Sequence, residues 1–289
     1  MENHERMIVE NKVFDEERAL YNLKNADVRN CKFEGPADGE STLKEARDIH
    51  VVGCDFSLRY PLWHVEKFTM EYSNIQDESR AAIWYTNNGT ISNSTILGVK
   101  CLRECSNISM ENTTAVSTEF GWKCSDLHIS DSTIESEYLF LDSKNIKINN
   151  FQMKGKYSFQ YVENLKIKYS NLDTKDAFWH SKNIVVKNST ISGAYLGWFS
   201  EGLTLINCKI IGTQPLCYCK DLKLINCTME EADLSFEYSD VEATILGHVD
   251  SIKNLKSGTI FVDSVGEVIN EDSTMPCSGK VVVNEVQAG

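Results

Sequence analysis

Apolar residues recur every 19 residues through most of this chain. The first apolar position of successive units falls at Ile108, Leu127, Ile146, Leu165, Ile184, Leu203, Leu222 and Val241. Taking this residue as position 0, positions +2 and +7 are also apolar in most units. A fixed period of this length is typical of a solenoid, in which one short unit stacks on copies of itself.

The spacing inside each unit predicts strands. Apolar residues two apart, such as Ile146 and Ile148, indicate an extended segment with one buried face. We predict a third strand from about +11 to +16, the part of the unit that holds most of the aromatic residues. Position +14 is tryptophan at Trp63, Trp122, Trp179 and Trp198.

Asparagine marks the turn between the first two strands. Position +4 is Asn30, Asn93, Asn112, Asn150, Asn188, Asn207 and Asn226. Asparagine tolerates the left-handed backbone conformation, and stacked amides can hydrogen-bond from unit to unit. The next position, +5, is serine, threonine or cysteine in most units, which indicates an inward column beside a tight corner.

Three strands per unit and corner asparagines resemble the right-handed parallel β-helix of the pectate-lyase-like superfamily, from residue 25 to about 251. More narrowly, the chain resembles a bacterial β-helix family catalogued as a domain of unknown function. The resemblance implies an all-β, single-stranded right-handed parallel β-helix with three strands per coil. About 19 residues per coil give roughly 11–12 coils. The resemblance implies no activity.

We expect a single β-helix domain over residues 1–289. Its coils are predicted for 23–251, between an N-terminal cap at 1–22 and a C-terminal cap at 252–289, where the repeat fades. Caps are expected because the uncovered end of a solenoid exposes strand edges.

Composition narrows the class of partner. The chain has 29 basic and 42 acidic residues, for a net charge of −13, which argues against nucleic acid and anionic lipid. It contains no 18-residue apolar stretch, and the sequence "MENHERMIVE" lacks an apolar signal core. We therefore expect a cytoplasmic protein that does not bind a membrane.

Ten cysteines are present, and most fall at positions predicted to point inward. Reduced cysteine is a small apolar core residue. Pairs such as Cys217 and Cys219 lie two apart on one predicted strand, about 7 Å from each other, which is poor geometry for a tetrahedral metal site. We predict reduced thiols, no metal and no cofactor.

In the superfamily that the chain resembles, the segment at +11 to +16 corresponds to the first sheet, the usual active face. Strand alternation predicts that +12, +14 and +16 point inward and that +11, +13 and +15 point outward. The outward residues form a predicted strip of ligand-binding positions: Glu119, Lys123, Tyr138, Phe140, Tyr157, Phe159, Tyr161, Phe178, Tyr195, Phe199 and Tyr218. If the alternation is inverted by one position, the phenylalanines of this strip are internal instead.

An aromatic strip edged with carboxylates suits a sugar, because rings cover the apolar faces of pyranoses and acids accept bonds from hydroxyls. The candidates for catalysis are Asp142, Asp176 and His180. The first and last would lie about 10 Å apart on one column, and Asp176 roughly 13 Å from His180 along its strand, too far for a direct dyad. A surface salt-bridge column of Glu104, Lys123 and Asp142 is the plainer interpretation of those charges.

The sequence lacks the motifs GxGxxG, GxSxG and HExxH and the P-loop, so it identifies no reaction and leaves open whether the protein is an enzyme. Our leading hypothesis is carbohydrate binding or processing on the outward groove of the first sheet, with an oligosaccharide as ligand. The alternative is a structural or scaffolding β-helix that binds a protein partner or forms a homo-oligomer.

Overall fold

The computed structural model describes residues 5–35 and 41–284. These residues form an all-β parallel solenoid with about 19 residues per turn, which confirms the predicted fold class. The turns number about 14, more than the roughly 11–12 predicted. Part of the difference comes from the predicted N-terminal cap, where Met7 pairs in parallel with Ala26 exactly one period later, so that this segment is itself a coil.

The strands follow the chain in order. They are β1 Met7–Glu10, β2 Val13–Phe14, β3 Lys24–Arg29, β4 Lys32–Phe33, β5 Arg47–Val52, β6 Asp55–Phe56, β7 Leu62–Trp63, β8 Glu66–Glu71, β9 Asn74–Ile75, β10 Ile83–Trp84, β11 Asn87–Ser92, β12 Thr95–Arg103, β13 Ser106–Glu111, β14 Thr114–Trp122, β15 Ser125–Ser136, β16 Tyr138–Leu139, β17 Lys144–Gly155, β18 Glu163–Lys168, β19 Asn171–Thr174, β20 Lys182–Lys187, β21 Thr190–Ser192, β22 Glu201–Ile206, β23 Lys209–Ile211, β24 Leu222–Glu230, β25 Asp240–Lys253, β26 Ser257–Ile269 and β27 Lys280–Val283. The described residues form no helix that could cross a membrane.

The chain divides into two compact units, Met1–Ile146 and Lys147–Gly289. In the first unit, position 0 stacks in register through Ala26, Ile49, Phe68, Gly89, Ile108 and Leu127. The core beside this column includes a run of stacked rings, Phe14 on Phe33 at 5.1 Å and Phe33 on Phe56 at 4.8 Å between centroids. Burying such side chains supplies the main stabilisation of each coil.

The second unit repeats the arrangement. Leu165, Ile184 and Leu203 pair in register, and the residues two positions later in each strand are also fully buried. Nine of the ten cysteines are buried in the two units, as their positions predict, and Cys277 is half-buried.

The corner residues adopt the conformation that asparagine favours. Asn188 and Asn207 have φ values of 50° and 51°. The side-chain Nδ2 of Asn207 donates to Oδ1 of Asn188 at 3.1 Å, one coil away. Asn112 donates in the same way to Asn93 at 2.6 Å.

The third side of the coil differs from the predicted strand. In the first unit it holds short strands such as β7 and β10 and the ends of β12 and β14, and in most coils of the second unit it is a run of turns. Alternate residues there have positive φ, as at Asp176 (53°), Phe178 (61°) and His180 (54°). Their amides bond in opposite directions: the N–H of Phe178 donates to the preceding coil at Ser158, and the N–H of His180 donates to the following coil at Trp198.

This backbone overturns the predicted alternation of the third side. Side chains two apart share a face only when the chain is extended, and here it is not. Phe140, Phe159 and Phe178 at position +13 are 0% exposed, so the prediction that they point outward is wrong. The tryptophans at +14, predicted to point inward, are half-buried at the surface instead.

Candidate functional site

The predicted strip separates into three classes of exposure. Lys123, Tyr161, Phe199 and the catalytic candidates Asp142 and His180 are exposed, while Glu119, Tyr138, Tyr157, Tyr195 and Tyr218 are half-buried. Phe140, Phe159 and Phe178 belong to the core, and Asp176 is buried. Burial raises the pKa of Asp176, although Lys175 and Lys156 oppose this shift.

The first unit contains a cleft of about 310 Å³ on its third side. Its lining combines aromatic, basic and acidic side chains: Tyr60, Arg80, Ala81, Trp84, Lys100, Arg103 and Glu104. None of these residues belongs to the predicted strip. A concave site with apolar rings and a few convergent polar groups is the usual form of a small-ligand site.

Arg103 organises the charges of the cleft. One guanidinium nitrogen, Nη1, lies 2.9 Å from a carboxylate oxygen of Glu119, and Nε lies 3.6 Å from Glu104. Lys100 lies 4.0 Å from the same Glu119 oxygen. Glu119 of the predicted strip therefore supports this cleft by fixing its basic side chains.

Stacked rings form the aromatic wall. Trp84 stacks on Trp63 with centroids 5.3 Å apart and planes 9° apart, and Tyr60 tilts against both indoles. The ammonium of Lys44 lies 4.0 Å from the centre of the Trp63 ring. Contacts of this type hold the wall rigid, with one half-buried indole lining the cleft.

One indole of this wall differs from those in later coils. Trp122, Trp179 and Trp198 donate their Nε1–H to backbone oxygens of the next coil at 2.9, 2.6 and 2.7 Å. Of the two wall indoles, Trp63 buries its Nε1–H without a hydrogen-bond partner among the described residues. A donor left in this state costs about 1–3 kcal/mol.

A ring column marks the second unit. It consists of Tyr161, His180, Phe199, Tyr218 and Tyr238, all at position +15 or its equivalent. The first four stack with centroids 4.8 to 5.0 Å apart and planes within 15°. Tyr238 continues the column at 5.7 Å with a 44° tilt. Because the ring faces cover one another, the column offers mainly ring edges to solvent.

Sequence reasoning placed Trp63 and Arg103 inside the coil because both occupy position +14. It also passed over Tyr60, Trp84 and Arg80, which lie in coils where the register shifts. The available signal was the concentration of rings in "RYPLWH" and "AAIWYT". Within the described ranges, no group of three or more His, Cys, Asp or Glu side chains is arranged to hold a metal ion.

Solved structures resemble the chain at low sequence identity. A mutant tailspike protein of Escherichia coli bacteriophage HK620 is 11% identical with a TM-score of 0.52, covering 96% of this chain and 71% of its own. A second mutant of that tailspike, in complex with a hexasaccharide, is 10% identical with a TM-score of 0.47, and the match covers 96% of this chain and 70% of the tailspike chain. The surface adhesin PfbA of Streptococcus pneumoniae is 9% identical with a TM-score of 0.40, and the match covers 93% of this chain and 86% of the adhesin chain. At 11% identity the likeness to the first of these tailspike structures supports the fold alone.

Comparison with curated proteins gives no match. A family model described as "Protein of unknown function (DUF3737)" matches residues 7–282, nearly the whole chain. The match spans every coil from β1 to the middle of β27, so it includes both the cleft and the ring column. The chain belongs to the DUF3737 family.

Proposed function

We propose that this protein binds a carbohydrate in the cleft of its first unit. The observation that carries the proposal is the cleft itself, where the rings of Tyr60 and Trp84 adjoin Arg80, Lys100 and Glu104 in about 310 Å³. Sugars combine apolar ring faces with many hydroxyl groups, and this lining offers a partner to each. Lys100 and Arg80 donate hydrogen bonds, and Glu104 accepts them.

The cleft is organised before any ligand enters. Glu119 and Glu104 both contact Arg103, and the guanidinium also lies 5.3 Å from the ring of Trp122. Fixed side chains lose less entropy on binding, which favours affinity. Because both carboxylates serve as partners of Arg103, the geometry supports binding, and we assign no reaction.

The fold is compatible with such a ligand. The HK620 tailspike, which shares the fold, has been captured with a hexasaccharide. Shared fold does not transfer a ligand, so the proposal depends on the cleft residues.

A glycan array compares the wild type with three variants. Arg80→Gln changes an exposed cleft residue, and Trp84→Ala removes the ring; both should weaken binding of the same glycans by about tenfold or more. Trp198→Ala, which removes a half-buried indole from the second unit, is the matched control and should keep the wild-type pattern. The proposal fails if no glycan binds, or if Trp198→Ala loses binding while Arg80→Gln and Trp84→Ala keep it.

A protein-contact role is the second candidate, and the ring column favours it. Tyr161 is 53% exposed and Phe199 is 43% exposed, yet their ring faces are covered by neighbours in the column. Edge-on aromatic surface suits a flat protein contact better than a pyranose face. Light scattering of the wild type and of Phe199→Glu tests whether the ring column joins two copies of the chain. A wild-type dimer that Phe199→Glu abolishes supports this role. A monomeric wild type rules out self-association through the column.

A further inference from the structure

Three lysines share the outer face of two neighbouring strands in the second unit. Lys166 and Lys168 project from β18, and Lys187 projects from β20. The pairing register places Lys168 directly opposite Lys187, and Lys166 opposite Val185. We call these three residues the lysine face.

Two other lysines of the second unit pair with carboxylates. Lys209 lies 2.9 Å from Glu230, and Lys253 lies 2.9 Å from Glu237, each on a neighbouring coil. No salt bridge joins a member of the lysine face to any residue in the described part of the chain. Like charges directly opposite each other on paired strands are destabilising, and no salt bridge among the described residues offsets the repulsion between Lys168 and Lys187.

The lysine face surrounds a shallow hollow. Lys166, Ile167, Lys168, Val185 and Lys187 line about 290 Å³. Ile167 is buried below the hollow and Val185 is half-buried. The charged groups that line the hollow are therefore the three lysine ammonium groups. An ammonium group is a donor with no acceptor capacity, so a ligand of this hollow has to supply acceptors.

We propose that the lysine face binds a multiply charged oxyanion, a phosphate or sulfate group. Such a group offers several acceptor oxygens and cancels the repulsion between Lys168 and Lys187. Lysine binds phosphate as a point charge and does not need the fork geometry of arginine. The chain carries a net charge of −13, so the lysine face is a positively charged patch on an acidic protein. The inference is independent of the cleft and of its sugar.

Lysine acetylation footprinting tests the proposal on the intact protein. Inorganic tripolyphosphate at ten times its dissociation constant should slow acetylation of Lys166, Lys168 and Lys187 by about tenfold. Lys182, which lies opposite Glu201, and Lys209 are the internal controls and should react at an unchanged rate. Equal slowing at the controls, or no slowing at the three lysines, overturns the proposal.

Dextran sulfate and neutral dextran distinguish the source of the anion. Protection by tripolyphosphate indicates a free anion, and protection by dextran sulfate alone indicates an anion carried on a polymer; either supports the site. Protection by neutral dextran overturns it.

Variants provide the affinity measurement. The double change Lys168→Gln with Lys187→Gln should weaken anion binding by about tenfold, since exposed charge contacts contribute modestly. Lys182→Gln is the matched control and should leave it unchanged. All three positions are on the surface, so both proteins should fold; equal affinities in the two variants would overturn the assignment.

Discussion

His180 and Phe199 lie ring against ring on successive coils, with centroids 5.0 Å apart and planes 6° apart. Two residues before His180, the ring of Phe178 is fully buried and stacks on Phe159 at 5.1 Å. Residues two apart therefore face opposite environments, which the left-handed backbone at alternate positions makes possible.

Phe178→Ala should destabilise the protein by about 3–5 kcal/mol, because it leaves a cavity in the core. Phe199→Ala removes an exposed ring and should cost less than about 1.5 kcal/mol. Urea unfolding measures both. Similar losses in the two variants would contradict the burial described for the third side.

Asn188→Leu should cost about 1–2 kcal/mol, because leucine replaces a residue with φ of 50° that also bonds to Asn207. Asn171→Leu changes an exposed asparagine in the extended strand β19 and should stay within about 0.5 kcal/mol. The midpoints of denaturant unfolding should separate the two variants, and coincident midpoints would show that the corner does not require asparagine.

Arg6 should make stability depend on acid pH. Burial raises the pKa of Asp27, but hydrogen bonds from Arg6 and Arg29 lower it by more. Hydrogen bonds from Lys67 and Arg6 likewise lower the pKa of Asp48 against its burial. The folded state thus favours both carboxylates, and this stability is complete above pH of about 4 and lost as the pH falls through the lowered values.

Thermal unfolding between pH 7 and pH 2 measures this effect. Arg6→Met should flatten the loss of melting temperature in acid relative to the wild type. Arg47→Met, an exposed arginine of β5, should retain the wild-type slope. Parallel curves for Arg6→Met and the wild type would exclude the linkage.

Cysteine reactivity should single out Cys277. Burial raises the pKa of Cys101 to about 12 and that of Cys219 to about 11, and both side chains are shielded from reagent. Cys277 is half-buried, so native protein should show one fast-reacting thiol that Cys277→Ser removes. After denaturation without reductant, all ten thiols should react; fewer would indicate disulfides.

Much of the fold was predictable because its signals are local. The 19-residue period, the apolar pairs and the corner asparagines each follow from strand alternation or from the tolerance of asparagine for positive φ. The site was harder to predict. Tyr161 and Phe199 are not residue types that favour left-handed backbone, so their identity does not indicate that alternation fails at the third side.

The cleft was missed for the same reason. Position +14 was assigned to the interior, which removed Trp63 and Arg103 from consideration, and the shifted register hid Trp84. Aromatic rings and a carboxylate do meet in this cleft, and Glu119 of the predicted strip contacts its Arg103 without lining it.

The coils tolerate different lengths of chain without losing their pairing. Val241 pairs with Gly258 after 17 residues, Ile108 with Leu127 after 19, and Thr259 with Lys280 after 21. Register shifts inside the pairings of β24 with β25 and of β25 with β26 take up part of the shortfall. The extra residues of the 21-residue coil lie in the mostly exposed stretch 270–279 between β26 and β27. A peptide inserted there would project from the surface while the strands on either side keep their partners, so the fold can carry added epitopes or tags without re-registering its core.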